Sequence, residues 1–174
     1  MSEDCCHSDT PPPPPKWKPY LPLIVIVALS LLAAFAKQVD YEGTWNGHAW
    51  MHDWMGFFLL TFAMLKLFDL SGFADGFQLY DLLAKRSRPY ALLYPFLELA
   101  LGLAYLAQWQ PVAVYVATII LLGFGAIGVL TALKKGLDVK CACMGSTLNV
   151  PLSTVAVVED LGMVAMAVVM LLMS

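Results

Sequence analysis

Apolar residues in this chain run in long blocks rather than alternating with polar ones. Five stretches are almost wholly apolar: Tyr20 to Ala36, Trp54 to Leu70, Pro89 to Ala107, Val112 to Leu133, and Leu152 to Met173. A membrane-crossing helix needs ~20 largely apolar residues, within a range of about 17–25. Lipid also forces each backbone polar group to be satisfied inside its own segment, which selects helices. Barrel strands would show alternating segments of ~10 residues, and the sequence has none. The pattern predicts an all-α, polytopic membrane helix bundle of five spans. It covers residues 20–174 and follows a disordered tail over residues 1–19.

Composition supports this reading. The chain is 60% hydrophobic and 13% charged, whereas soluble domains run at about 45–50% and about 25%. A soluble fold is excluded, and a net charge of -3 gives no reason to expect a nucleic-acid partner; membrane lipid is the expected surroundings. The placement of basic residues is more informative than the total. Lys16 and Lys18 precede the first block, Lys85, Arg86 and Arg88 separate the second from the third, and Lys134, Lys135 and Lys140 follow the fourth. The alternate connections hold Lys37 and the uncharged turn Gln108-Trp109-Gln110-Pro111. By the positive-inside bias, the N-terminus is cytoplasmic, the C-terminus is outside, and the membrane is a bacterial-type inner membrane. Ala34-Phe35-Ala36 looks like a signal-peptidase site, but its 17-residue apolar run exceeds the usual h-region of about 7–15, so the segment is expected to be retained.

Polar residues inside the apolar blocks are the candidate chemistry. Lys66 and Asp69 lie near the end of the second block, Glu98 lies deep in the third just after Pro95, and Glu159 and Asp160 lie in the fifth. Charges in a bilayer are costly and face the bundle interior or one another. Lys66 could snorkel, pair locally with Asp69, or join an internal cluster; depth favours Lys66–Glu98 or Lys66–Glu159. Lys66, Glu98, Glu159 and Asp160 therefore form the expected polar core. Between the second and third blocks, Phe73, Phe77, Tyr80 and Ala84 recur at helical spacing, with Asp75, Gln78, Asp81 and Lys85 interleaved. That predicts a short amphipathic helix on the cytoplasmic surface. Gly123-x-Gly125-x-x-Gly128 has the dinucleotide fingerprint, which carries meaning only after a strand in a βαβ unit; within an apolar helix it marks a helix contact.

Sulfur and imidazole supply the rest. All four cysteines, Cys5, Cys6, Cys141 and Cys143, fall on the expected cytoplasmic side, where thiols stay reduced. Cys141 and Cys143 form a Cys-x-Cys pair beside Lys140, which would favour the thiolate; a disulfide closed across so short a loop is strained and exchange-prone. Cys5-Cys6-His7 precedes five prolines, Pro11 to Pro15, an extended spacer of about 15 Å. These are auxiliary thiols or an inert tail. His48, Met51, His52 and Met55 fall at i, i+3, i+4 and i+7, one face if the second helix starts a turn early. Imidazole and thioether suit Cu(I) or Ag(I), although an interfacial loop whose Trp residues anchor it and whose His residues are solvated is the simpler account. Met163, Met166, Met170 and Met173 continue the face of Glu159, as packing residues. No other cofactor motif is evident.

From residue 60 onward the order of features resembles the methylamine utilisation protein MauE, in the wider MauE/DoxX family of redox-associated membrane proteins. The resemblance rests on Lys66-Leu67-Phe68-Asp69, Gly72-Phe73-Ala74, Tyr80, Tyr94-Pro95-Phe96-Leu97-Glu98-Leu99, Cys141-Ala142-Cys143-Met144-Gly145 and Ser153. The chain departs from the family at Met144, where Phe is usual, and at Glu159-Asp160, where a basic residue followed by Asn is common. This marks a divergent member. The resemblance implies a four-helix core with an extra N-terminal span, and a role in redox processing or maturation of an exported partner, in the named member the methylamine dehydrogenase β-subunit. It also implies Cys141 and Cys143 as the redox pair. Three functions remain open: a thiol–disulfide relay, a soft-metal transporter or chaperone for copper, silver or mercury, and a non-catalytic assembly subunit.

Overall fold

The computed structural model describes residues 20–39, 45–134 and 157–174. Among these residues every regular element is helical: α1 (Leu21–Val39), α2 (Gly47–Phe68), α3 (Leu70–Phe77), α4 (Arg88–Leu106), α5 (Pro111–Lys134), and a π turn (Val157–Leu161) leading into α6 (Gly162–Met173). Cys5, Cys6, Cys141 and Cys143 lie outside the described residues.

Local chemistry sets the helix boundaries. The Asn46 side chain accepts from the His48 and Ala49 amides, capping α2. This cap starts the helix seven residues before Trp54, the start expected from hydropathy alone. Ser87 caps α4 by accepting from the Tyr90 amide, with Pro89 in the first turn, where its missing N–H costs nothing. Asp69 both ends α2 and caps α3 through the Gly72 amide, and the chain turns by 100° there.

Three helices, α1, α4 and α5, are long and apolar enough to cross a membrane, and the bent pair α2–α3 makes a fourth if taken as one broken span. The five expected spans thus reduce to three or four among the described residues. α2 falls short on hydropathy because it carries His48, His52, Asp53 and Lys66. The expected span from Leu152 is described only from residue 157.

α2 and α4 share the broadest contact. Gly102 lets α4 approach the Leu60 backbone, since a Cβ there would stand 3.0 Å from the Leu60 amide nitrogen. α1 packs on α2, and α6 packs on α5. Outward faces are greasy: Val112, Val116, Ile120, Phe124, Ile127 and Leu130 are exposed along α5, as are Ile24, Leu29, Leu32 and Phe35 along α1. Apolar surface on this scale belongs in lipid.

The amphipathic segment after α2 differs from its expected form. Phe73, Phe77, Tyr80 and Ala84 are buried, but regular helix stops at Phe77 and turns follow. Asp81, expected on the polar side, is buried, and its carboxylate accepts from the Leu83 and Ala84 amides. Those two bonds replace helical continuation. Along α6, Met163 and Met170 are core residues, while Met173 is exposed.

Candidate functional site: a buried ionic cluster

Lys66 stands in the last turn of α2, just before the bend, with its side chain turned inward. Its Nζ donates to both oxygens of Glu98, at 2.5 and 2.6 Å, and to Glu159. Local pairing with Asp69 is not what forms, because Asp69 is occupied capping α3. Nor does Lys66 snorkel, as it is only 3% exposed; Glu98 is 0%, Glu159 2% and Asp160 7% exposed. Phe62, Phe73 and Tyr94 surround the ammonium, with ring centroids 5.9, 5.6 and 5.4 Å away.

Each carboxylate arrives by a distinct backbone device. Glu98 follows the buried Pro95 by three residues on α4, so both occupy one face. Glu159 and Asp160 sit in the π turn. Its i→i+5 bonding makes the angular step between neighbours smaller than the ~100° of an α-helix. Two adjacent acidic residues can therefore both point inward. Opposite them, α5 offers Gly125 and Gly128. A Cβ on Gly125 would stand 3.0 Å from Asp160 Oδ2 and 3.1 Å from the Tyr94 hydroxyl; one on Gly128 would stand 3.0 Å from the Asp81 Cα. Gly123 faces open space. Two of the three fingerprint-like glycines, Gly125 and Gly128, are thus a contact surface for the acidic groups.

Among the described residues, three carboxylates surround a single ammonium. Replacing such a network with apolar residues is often harmless, whereas removing one partner is not. Asp81 adds a fourth acidic group nearby. Burial pushes its carboxyl above the ordinary range, against the pull of the Ala84 and Leu83 amides and of Lys85.

A second polar layer lies 14 residues back along α2, or ~21 Å. His52 is buried between Tyr105 and Tyr115, with ring centroids 4.9 and 5.6 Å away. Neither His52 ring nitrogen, nor the Tyr115 hydroxyl, has a hydrogen-bond partner among the described residues. Met55 is fully buried one turn on, and His48 and Met51 are half-buried. The four residues of the expected soft-metal face thus follow α2 inward. Among the described residues no three His, Cys, Asp or Glu side chains converge as a metal-binding group. Beside this layer, Lys37 reaches Asp53 at 2.6 Å and the Leu106 carbonyl at 3.5 Å, tying α1, α2 and α4 at one end.

Sequence reasoning did not single out Tyr94, Gly125 or the Lys37–Asp53 pair as site features. Tyr94 precedes Glu98 by four residues, and that i, i+4 spacing was the available signal. The other two depend on which helices become neighbours, which no local pattern states.

A bundle with lipid-facing helices around a buried ionic core is a multi-pass helical membrane protein. The family model described as methylamine utilisation protein MauE matches residues 48–173, and the chain belongs to that family. The matched region begins at His48, so it takes in all but the first residue of α2, whereas the residue-level resemblance starts near residue 60. No curated protein and no solved structure matches the chain.

Proposed function

We propose that this protein is a MauE-family membrane component that matures a partner protein by thiol–disulfide exchange at Cys141 and Cys143. One observation carries the reading: the family match spans residues 48–173, a range that includes Cys141-Ala142-Cys143 and the elements bearing Lys66, Glu98 and Glu159. In this reading the cluster anchors the last span, and the thiol pair precedes it by 16 residues, counted from Cys143 to Glu159. A Cys141 thiolate attacks the partner's disulfide, forming a mixed disulfide and releasing one partner thiolate, which takes up a proton. Cys143, losing its proton, then attacks Cys141 Sγ and releases the second partner thiol. The partner gains two electrons and two protons, and Cys141–Cys143 becomes the disulfide; the reverse sequence oxidises a partner. Cys5 and Cys6 are auxiliary thiols. Five spans, a cytoplasmic N-terminus and an inner-membrane location complete the reading.

Thiol trapping in membranes tests this. The expected result is a mixture of reduced and oxidised Cys141–Cys143, and loss of partner maturation in Cys141→Ser and Cys143→Ser. A pair that stays fully reduced, with silent Ser variants, sinks the proposal. If the partner still co-purifies with those silent variants, the protein is a non-catalytic assembly subunit.

The unpartnered His52 nitrogens beside buried Met55 favour a second reading, soft-metal handling through His48, Met51, His52 and Met55. It predicts stoichiometric Ag(I) or Cu(I) on purified protein, lost in His52→Leu with Met55→Leu. Metal content that is zero, or unchanged in that variant, removes it.

A further inference from the structure

α4 and α5 touch far less than α2 and α4 do, and between them runs an open apolar groove of 680 Å³. Its α4 wall extends from Tyr90 to Ala104 and its α5 wall from Ala113 to Phe124. With a rise of ~1.5 Å per residue the α4 wall is ~21 Å long. One leaflet contributes only ~15 Å to a hydrocarbon core of ~30 Å, so a whole acyl chain can lie along the groove. Spread over that length, 680 Å³ gives a mean cross-section of about 30 Å², against ~80–110 Å² for a helix with its side chains. The groove is wide enough for a hydrocarbon chain and too narrow for a helix.

Charge distinguishes the two ends of the groove. Leu83 and Tyr90 line one end, and the Leu83 carbonyl accepts from the Arg86 and Ser87 amides at 3.0 Å, so the chain at Lys85 and Arg86 wraps that end. Both side chains are exposed, and neither joins an ion pair among the described residues, whereas Arg88 is paired with Asp75. Trp109 lines the opposite end, between Gln108 and Gln110, which carry no charge. Lys37, which reaches the Leu106 carbonyl near there, is committed to Asp53. A negatively charged headgroup is therefore matched at the Lys85–Arg86 end and unmatched at the Trp109 end. Basic positions beside a cleft between spanning helices recognise anionic lipid headgroups. We propose that the α4–α5 groove binds one anionic glycerophospholipid, with its phosphate on Lys85 and Arg86 and an acyl chain along the apolar walls. Lys85 and Arg86 select the headgroup, and the alanines facing across the groove, Ala100 on α4 and Ala117 on α5, leave the space for the chain. The site stands on this geometry and does not rest on the thiol reading.

Native mass spectrometry of the full chain in detergent tests the assignment, with dioleoyl phosphatidylglycerol and dioleoyl phosphatidylcholine added in turn. The two lipids share their chains and differ in headgroup charge. The expected result is a single phosphatidylglycerol retained per chain, in preference to phosphatidylcholine. Lys85→Gln with Arg86→Gln should weaken that binding roughly 30-fold, about 5-fold for each charge removed. Ala117→Phe should abolish it by filling the groove while leaving every charge in place. Ala100→Phe fills the groove from the α4 side and carries the same expectation, which keeps the test decisive if either variant fails to fold. Equal retention of the two lipids overturns the proposal, since it marks an unselective lipid-facing surface. So does phosphatidylglycerol binding that survives both alanine variants, which marks adsorption to the basic end alone. A dimer that forms in place of lipid binding and is lost in Ala117→Phe also overturns it, and assigns the groove to a second copy of this chain.

Discussion

Lys66 balances Glu98 and Glu159 at once, so its removal strands two buried carboxylates rather than one. Breaking a buried pair from one side costs about 3–5 kcal/mol, and Lys66→Met should destabilise the detergent-solubilised protein by at least that range, read from denaturant or thermal unfolding. Glu98→Gln should cost less, because it removes surplus negative charge and leaves an acceptor for Lys66. Adding Glu98→Gln and Glu159→Gln to Lys66→Met should recover part of the loss; no recovery would mean that the glutamates are not what Lys66 compensates. The glycines give a sharper contrast. Gly125→Leu and Gly128→Leu drive a side chain into Asp160, Tyr94 and the Asp81 backbone and should cost about 1–3 kcal/mol by overpacking. Gly123→Leu meets open space and should stay within about 0.5 kcal/mol. Equal effects at all three would refute the contact surface. At this scale the charged residues were legible because a lone Lys and four acidic residues in apolar blocks have few places to go. The role of Gly125 was not, because it depends on α5 facing the π turn.

At the scale of elements, the blocks of apolar residues located α1, α4 and α5 to within a few residues. They misplaced α2, whose start is set by one side-chain cap at Asn46 rather than by hydropathy. They also could not reveal the π turn, since an extra residue in a helix leaves no mark on a run that is apolar on all sides. That turn is open to a direct test. Deleting Leu161 removes one residue between the acidic pair and α6, rotating Glu159 and Asp160 by about 100° relative to the Met163–Met170 face. Lys66 should then lose Glu159, with destabilisation of about 3–5 kcal/mol. A stable deletion variant that retains the Lys66–Glu159 contact would show that the π turn is incidental. At the other end of α2, His52 presents the opposite case. Its two unpartnered nitrogens carry a desolvation penalty of about 1–3 kcal/mol. In metal-free protein, His52→Leu should therefore leave the melting temperature unchanged or higher. A large drop would show that His52 has a hydrogen-bonding partner essential to the bundle.

For the molecule as a whole, the two ends of the bundle differ in charge, and that difference predicts an orientation. Lys85, Arg86 and Arg88, at the start of α4, and Lys134, at the end of α5, are exposed at one end. Asp75 offsets only Arg88, through a pair at 3.0 Å that is open to solvent on both sides. Such an exposed pair is worth about 0–1 kcal/mol and leaves the basic character of that end intact. At the other end Lys37 is held by the fully buried Asp53, and the α4–α5 turn is built from Gln108, Trp109 and Gln110 with no charge. Lys and Arg counts near helix ends set orientation, while acidic residues contribute little. The basic end should therefore stay in the cytoplasm. A reporter active only in the cytoplasm should work when inserted after Arg86 and fail when inserted after Gln108. Moving the charge should move the protein: Lys85→Gln, Arg86→Gln and Arg88→Gln, combined with Gln108→Lys and Gln110→Lys, should produce a mixed or inverted population. An unchanged pattern in that variant would mean that orientation is fixed by the segments preceding α2 rather than by this loop pair.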